Sequence, residues 1–257
     1  MARLTPLRSF LICGASSGVG LALVDKLVSS EIVQNVWATA RHPARSHELK
    51  QLQSQFPDKL RIAPLEAGTQ EDYTRLRDAI VQQGTGLDVV INSMGLLHSP
   101  EGLSPERKIE EFNLENHLKV YHVNCVSTLM LAQALKSLLR ESSAPTFAAI
   151  SAKVGSIGDN NTGGWHSYRV SKAALNMAIR NLAIEMGRLN KNSIFVALHP
   201  GTTETKLSEP FMASARKKYK IHTPQETAQN LLHVLNNLQS PKDNGSFLSW
   251  DGVHLPW

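Results

Sequence analysis

Phe10-Leu11-Ile12-Cys13-Gly14-Ala15-Ser16-Ser17-Gly18-Val19-Gly20 reads as a short apolar strand that turns through glycine into a helix. Glycines at such a turn let the backbone approach a pyrophosphate and let the helix pack closely on the strand. The helix start offers unpaired N–H groups and the positive end of the helix dipole. Ser16 and Ser17 add hydroxyl donors. Glycine is also useful in any strand-to-helix turn. Its place at the first βα turn of the chain favours a dinucleotide loop over Gly14, Ser16, Ser17, Gly18, Val19 and Gly20.

Outward from this loop, short apolar runs alternate with helical patterns. Strands are expected at Ser9–Cys13, Val36–Ala40, Leu60–Leu65, Asp88–Asn92, Thr146–Ser151, Ser193–Leu198 and Ser246–Trp250. Helices are expected at Gly18–Ser29, Ser46–Phe56, Glu71–Gln83, Leu114–Leu139, Tyr168–Asn190 and Pro224–Leu238. That alternation predicts a single-domain α/β fold over 1–257, a Rossmann-type doubly wound parallel sheet of about seven strands with helices on both faces. No repeat or Pro/Gly/Ser-rich linker divides the chain. The irregular segments 152–167 and 201–222 follow strand ends, where substrate loops belong.

The chain has 257 residues, 42% of them hydrophobic, and a net charge of +5. This is a globular composition with a mild attraction for anions. Only Arg216-Lys217-Lys218-Tyr219-Lys220 forms a basic run, read as a solvated helix face, so no nucleic-acid partner is expected. No segment is long enough to cross a bilayer. The two cysteines, Cys13 and Cys125, lie in apolar segments and suggest a reducing compartment, with the cytoplasm as the expected location. The histidines show no metal-ligand spacing, and no metal is expected.

Tyr168 and Lys172 are four residues apart, which sets them on one helical face. An ammonium beside a phenol favours the phenolate, so the tyrosine pKa is expected to fall. Such a tyrosine can exchange a proton with a substrate alcohol or carbonyl. An acidic residue at the end of the second strand would select NAD by bonding ribose hydroxyls. Arg41 stands there instead, with Arg45 nearby, and a guanidinium suits a 2′-phosphate, so NADP(H) is the expected cofactor.

The spacing Gly-x-x-x-Gly-x-Gly, Asn92-Ser93-Met94-Gly95, Asn124, Tyr168/Lys172 and Pro200-Gly201-Thr202-Thr203-Glu204-Thr205 together resemble the short-chain dehydrogenase/reductase family across essentially the whole chain. Val154-Gly155-Ser156-Ile157-Gly158-Asp159-Asn160-Asn161 and the ending Asp251–Trp257 look like the C-factor/sniffer-type carbonyl reductase group. The resemblance implies that Tyr168 is the general acid or base and that Lys172 lowers its pKa and bonds the nicotinamide ribose. It implies that Glu66 contacts the adenine, that Asn92 and Gly95 line the adenosine side, and that Thr205, after Pro200, contacts the carboxamide. Asn124 has two readings, a water-holding group beside Lys172 or a polar residue bonded to backbone at a helix bend. Ser93, Met94 and Cys13 depart from the more usual Asn, Ala and Thr.

The family's substrate-orienting serine aligns with Ala152, which has no hydroxyl. Ser151 is the first candidate to replace it, reaching inward by a twist at the strand end. Ser156 is the second, and no serine at all is the third. Trp165 and His166 either line a substrate mouth or serve packing and solvent contact. The expected activity is NADPH-dependent carbonyl reduction of a small molecule. A dinucleotide-binding regulatory protein of C-factor type is the alternative. The family's habit of pairing through its two long helices implies a homodimer or homotetramer.

Overall fold

The computed structural model describes residues 8–257; residues 1–7 of the domain expected over 1–257 lie outside the described residues. Strands β1 (Arg8–Cys13), β2 (Val33–Ala40), β3 (Leu60–Pro64), β4 (Val89–Asn92), β5 (Thr146–Ile150), β6 (Ile194–His199), β7 (Thr202–Thr203), β8 (Ile221–His222) and β9 (Phe247–Ser249) alternate with helices α1 (Gly18–Val28), α2 (His47–Gln55), α3 (Gln70–Gln82), α4 (Leu114–Tyr121), α5 (Ser127–Glu141), α6 (His166–Leu189), α7 (Met212–Ala215) and α8 (Pro224–Asn237). Seven strands form one sheet in the order β3-β2-β1-β4-β5-β6-β9. Every neighbouring pair in it is parallel. This is a Rossmann-like fold, as the alternation predicts.

The two faces of the sheet explain why its strands are apolar throughout. Phe10 and Ile12 of β1 join a core with Leu23 and Leu27 of α1, Leu49 of α2 and Leu231 and Leu235 of α8. Leu11 and Cys13 point the other way and join Tyr73 of α3, Leu131 and Leu135 of α5 and Ile179 of α6. Successive residues of a strand face opposite sides, so a strand covered twice must be apolar at both.

The strand order reverses at β1, whose neighbours are β2 and β4. Ligands in such sheets bind beyond the carboxyl ends at that reversal. Gly14 follows β1 there, and Ser93 follows β4.

Two expectations need correction. The helix predicted over Leu114–Leu139 is broken: α4 ends at Tyr121, and a wider π turn spans His122–Val126 before α5 begins. Asn124 lies within this wider turn and bonds backbone outside the helix. The basic run 216–220 is exposed but follows the short α7 rather than lying on a helix.

Candidate active site

The glycine loop is built by exclusion. A Cβ on Gly20 would stand 2.3 Å from the Gly14 carbonyl oxygen and 2.6 Å from Ser93 Oγ. Gly14 has φ +81° and Gly18 φ +57°, backbone that favours glycine. Gly14 N donates to Thr39 Oγ1 at 3.4 Å and Ala15 N to the Thr39 carbonyl at 2.7 Å. Ser93 Oγ donates to the Cys13 carbonyl at 2.6 Å and so ties β4 to the loop. The unusual serine therefore closes the loop. Cys13 is a buried thiol pushed up to about 12 by burial, partly offset by its bond with Thr39.

The residues present fit a nicotinamide dinucleotide. No acidic residue lies in the first turn of α1, and Ser17 makes no capping bond. That helix start keeps its positive end for an anion. Ser16, Ser17, Arg41, Glu66 and Gly95 are exposed at the same carboxyl edge, and Val19 packs against the core below. Asn92 is buried, donating to Thr128 Oγ1 at 2.8 Å and accepting from Met94 N at 3.1 Å. The loop after β6 closes the other side: Thr205 Cγ2 is 3.2 Å from where a Gly18 Cβ would stand, and Ser208 Oγ donates to the Thr203 carbonyl at 2.5 Å beyond Pro200.

Tyr168 and Lys172 lie one turn apart at the start of α6, both buried. Lys172 Nζ donates to the Ile150 carbonyl at 2.8 Å and stands 5.7 Å from the Tyr168 ring centre. Burial pushes the Tyr168 phenol up to about 12 and the Lys172 ammonium down to about 8. The expected fall of the tyrosine pKa is thus reversed. Each ionised form loses hydration, and the ammonium is directed at a carbonyl rather than at the phenol oxygen.

Asn124 takes the backbone reading. Its Oδ1 accepts from Leu96 N at 2.7 Å, and its Nδ2 donates to the Leu96 carbonyl at 2.9 Å and to Ser171 Oγ at 3.0 Å. The side chain thus clamps the loop after β4 against α6, and the π turn presents it there.

Ser151, the first candidate for the serine role, is buried. Its Oγ donates to Asn176 Oδ1 at 2.7 Å. Asn176 lies eight residues beyond Tyr168 on α6, about 12 Å along the helix. Ser156 Oγ is also occupied, donating to the Trp257 carbonyl at 3.3 Å and accepting from Asp159 N. Ala152 packs against the small buried cluster of Leu97, Leu103, Val120 and Tyr168. Trp165, with φ 51°, sets its ring edge-on to Tyr168 at 6.1 Å and 4.9 Å from Phe211, which are packing contacts.

Sequence reading missed Glu106. Its buried carboxylate accepts from Ser167 N at 3.1 Å and from Ser167 Oγ, so it caps α6 from another loop. No short-range pattern announces a cap supplied from 61 residues away.

A family model described as short chain dehydrogenase matches residues 8–216. The chain belongs to this family. Among solved structures, this short-chain dehydrogenase is similar to an NADPH-bound carbonyl reductase from chicken fatty liver, with 31% identity, 98% of this chain and 100% of that chain covered, and a TM-score of 0.86. It is similar to the carbonyl reductase Sniffer of D. melanogaster at 26% identity, with the same coverage and a TM-score of 0.85. It is also similar to the C-signal protein of Myxococcus xanthus, 27% identical over 66% of this chain and 93% of that one. The C-factor/sniffer likeness seen in 154–161 and 251–257 is therefore borne out. Among the described residues no helix is long and apolar enough to cross a membrane, and no cluster of side chains could hold a metal.

Proposed function

We propose that this oxidoreductase is an NADP(H)-dependent carbonyl reductase acting on a small-molecule carbonyl/alcohol pair. The carrying observation is the buried pair Tyr168 and Lys172, one helical turn apart at the strand ends that bear the glycine loop. The bound dinucleotide supplies the hydride. Gly14, Ser16, Ser17, Gly18, Val19 and Gly20 hold its pyrophosphate, and Arg41 meets its 2′-phosphate through a fork of donors. Glu66, Asn92 and Gly95 line the adenosine side, and Pro200 and Thr205 the carboxamide side. NADP(H) rather than NAD(H) is favoured by Arg41, and by the NADPH in the chicken relative.

Tyr168 gives its proton to the reduced oxygen. A phenol held near 12 is fully protonated at neutral pH, which suits the reductive direction. Lys172 bonds the ribose and keeps positive charge beside the phenol as its proton leaves. Asn124 positions this group by fixing the Leu96 loop against α6. Two free, buried cysteines favour the cytoplasm, and exposed apolar residues on α4 and α6 favour a homodimer or homotetramer.

Tyr168→Phe tests the reading. Carbonyl reduction should fall by about 10³-fold, with NADPH affinity unchanged. Undiminished turnover would contradict it. A second reading, a dinucleotide-binding regulator with little catalysis, is favoured by Ala152 and the C-signal likeness. NADPH binding without turnover of a broad carbonyl panel would select it.

A further inference from the structure

A proton donor works only as precisely as its surroundings are held. Tyr168 is buried in a small cluster with Leu97, Leu103 and Val120, and Val154 and Trp165 pack against that cluster. Both come from the irregular segment between β5 and α6. That segment enters α6 through three successive residues in left-handed backbone, Gly163 at φ 60°, Gly164 at 64° and Trp165 at 51°. A tryptophan keeps that conformation only where its neighbours fix it, and such positions cluster at functional sites.

Arg169, the residue after Tyr168, does the fixing with all three of its guanidinium nitrogens. Nε donates to the Gly164 carbonyl at 3.1 Å, Nη1 to the Val154 carbonyl at 3.2 Å and Nη2 to Thr162 Oγ1 at 2.7 Å. Val154, the residue before Trp165 and the loop between them are thus tied to α6 by one side chain. Trp165 N adds a bond to the Glu106 carbonyl at 2.5 Å. None of the three acceptors is charged, and among the described residues Arg169 makes no ion pair. Burial lowers its pKa, and Asp159 and Tyr219 offset only part of that. A partly buried cation on neutral acceptors loses hydration. What it contributes is geometry, a planar fork of donors at fixed angles.

We propose that Arg169 is a positioning residue for the reaction: it holds Val154 and Trp165 against the Tyr168 cluster and so keeps water from the reacting pair. This rests on the carbonyl reductase reading and deepens it by naming what encloses the proton donor. Arg169 acts through the residues it tethers and not on the substrate. The same tether steadies the short turn Lys153–Gly155 over Lys172, because a Cβ on Gly155 would stand 2.7 Å from Lys172 Cβ. Lys172 is faced by the Tyr168 ring, the Cys125 thiol and the Ile150 carbonyl. Hydration is therefore what its charge answers to. With the loop loosened, water reaches Lys172 and its ammonium survives to higher pH.

The test compares wild type with Arg169→Ala, Arg169→Lys and Thr162→Ala. NADPH affinity should be the same in all four, because none of the tethered residues belongs to the glycine loop. The kcat for ketone reduction should fall about 10- to 100-fold in Arg169→Ala. It should fall nearly as far in Arg169→Lys, since one ammonium cannot span three acceptors. Thr162→Ala removes a single acceptor from an exposed loop position, so the fold survives it, and it should lose a few-fold. The pH above which reduction declines should move in Arg169→Ala from about 8 toward 10.5. A merely structural role, which only lowers the amount of folded protein, leaves that pH where it is. Acrylamide quenching of Trp165 fluorescence, isolated by difference from Trp165→Phe, gives a readout apart from turnover. It should rise in Arg169→Ala and, less, in Thr162→Ala. Wild-type kcat in Arg169→Lys, a fall in kcat with an unmoved pH profile, or quenching unchanged in both Arg169→Ala and Thr162→Ala would overturn the proposal. If wild type binds NADPH and reduces no ketone, it is the carbonyl reductase reading that fails, and the quenching still decides the tether.

Discussion

A Cβ on Gly20 would stand 2.3 Å from a backbone oxygen, which no side-chain rotation can relieve. Gly20→Ala should therefore push α1 off the loop, costing about 1–3 kcal/mol and weakening dinucleotide binding together; denaturant melts and cofactor titration check both. Tyr168 and Lys172 make a second prediction at this scale. Below about 8 Lys172 is an ammonium, and above it the charge that supports proton release from Tyr168 is lost. Reduction should decline as pH rises through 8. Alcohol oxidation, which needs the phenolate, should rise with pH toward 12. A pH profile of kcat in both directions decides, and reduction that climbs from pH 8 to 9 would contradict the assignment. The pair was legible in the sequence because a spacing of four is a fact of helix geometry. The direction of the tyrosine pKa was not, because burial is a tertiary property and outweighs a neighbour that points elsewhere. The bond from Ser151 to Asn176 was not legible either, because it joins residues 25 apart.

Helix α6 carries the reacting pair, and its start is held by Glu106 from a separate loop. Burial alone would raise the Glu106 carboxyl, but hydrogen bonds from Ser167 and from backbone outweigh it and hold it below the usual 4.5. A depressed carboxyl contributes stability that is present above its unfolded pKa and lost as pH falls through the folded value. Glu106→Gln should thus destabilise the protein by about 1 kcal/mol at pH 7, the worth of a cap. Its thermal midpoint should converge with wild type below pH 4.5. A deficit that persists unchanged into acid would show the charge to be irrelevant. The break at His122–Val126 belongs to this scale too. Its residues His-Val-Asn-Cys-Val continue a helical pattern. The wider turn presents Asn124 to Leu96, 28 residues away, a contact no local pattern announces. Elements with local causes, such as the Thr223–Glu226 capping box that starts α8, could be placed closely from the sequence alone.

The whole sheet was readable because doubly covered strands must be apolar on both faces and crossover helices must separate them. Order and direction then follow from right-handed connections. What sequence left open was which surfaces stay exposed. Leu114 and Leu118 lie one turn apart on α4, and Val170, Met177 and Ile184 repeat every seven residues on α6; all are exposed. The proposed homo-oligomer covers them, so Leu118→Glu with Met177→Glu should shift sedimentation to a monomer while leaving the fold intact. A wild-type protein that already sediments as a monomer would refute that arrangement. The account's central claim is an NADP(H) site at the sheet's reversal point, selected by Arg41. The measurement that tests it most directly is fluorescence titration with NADPH and NADH, on wild type and Arg41→Ala. Much tighter NADPH binding, lost in Arg41→Ala, is the predicted result. Equal affinity for the two cofactors, or binding of neither, would contradict it.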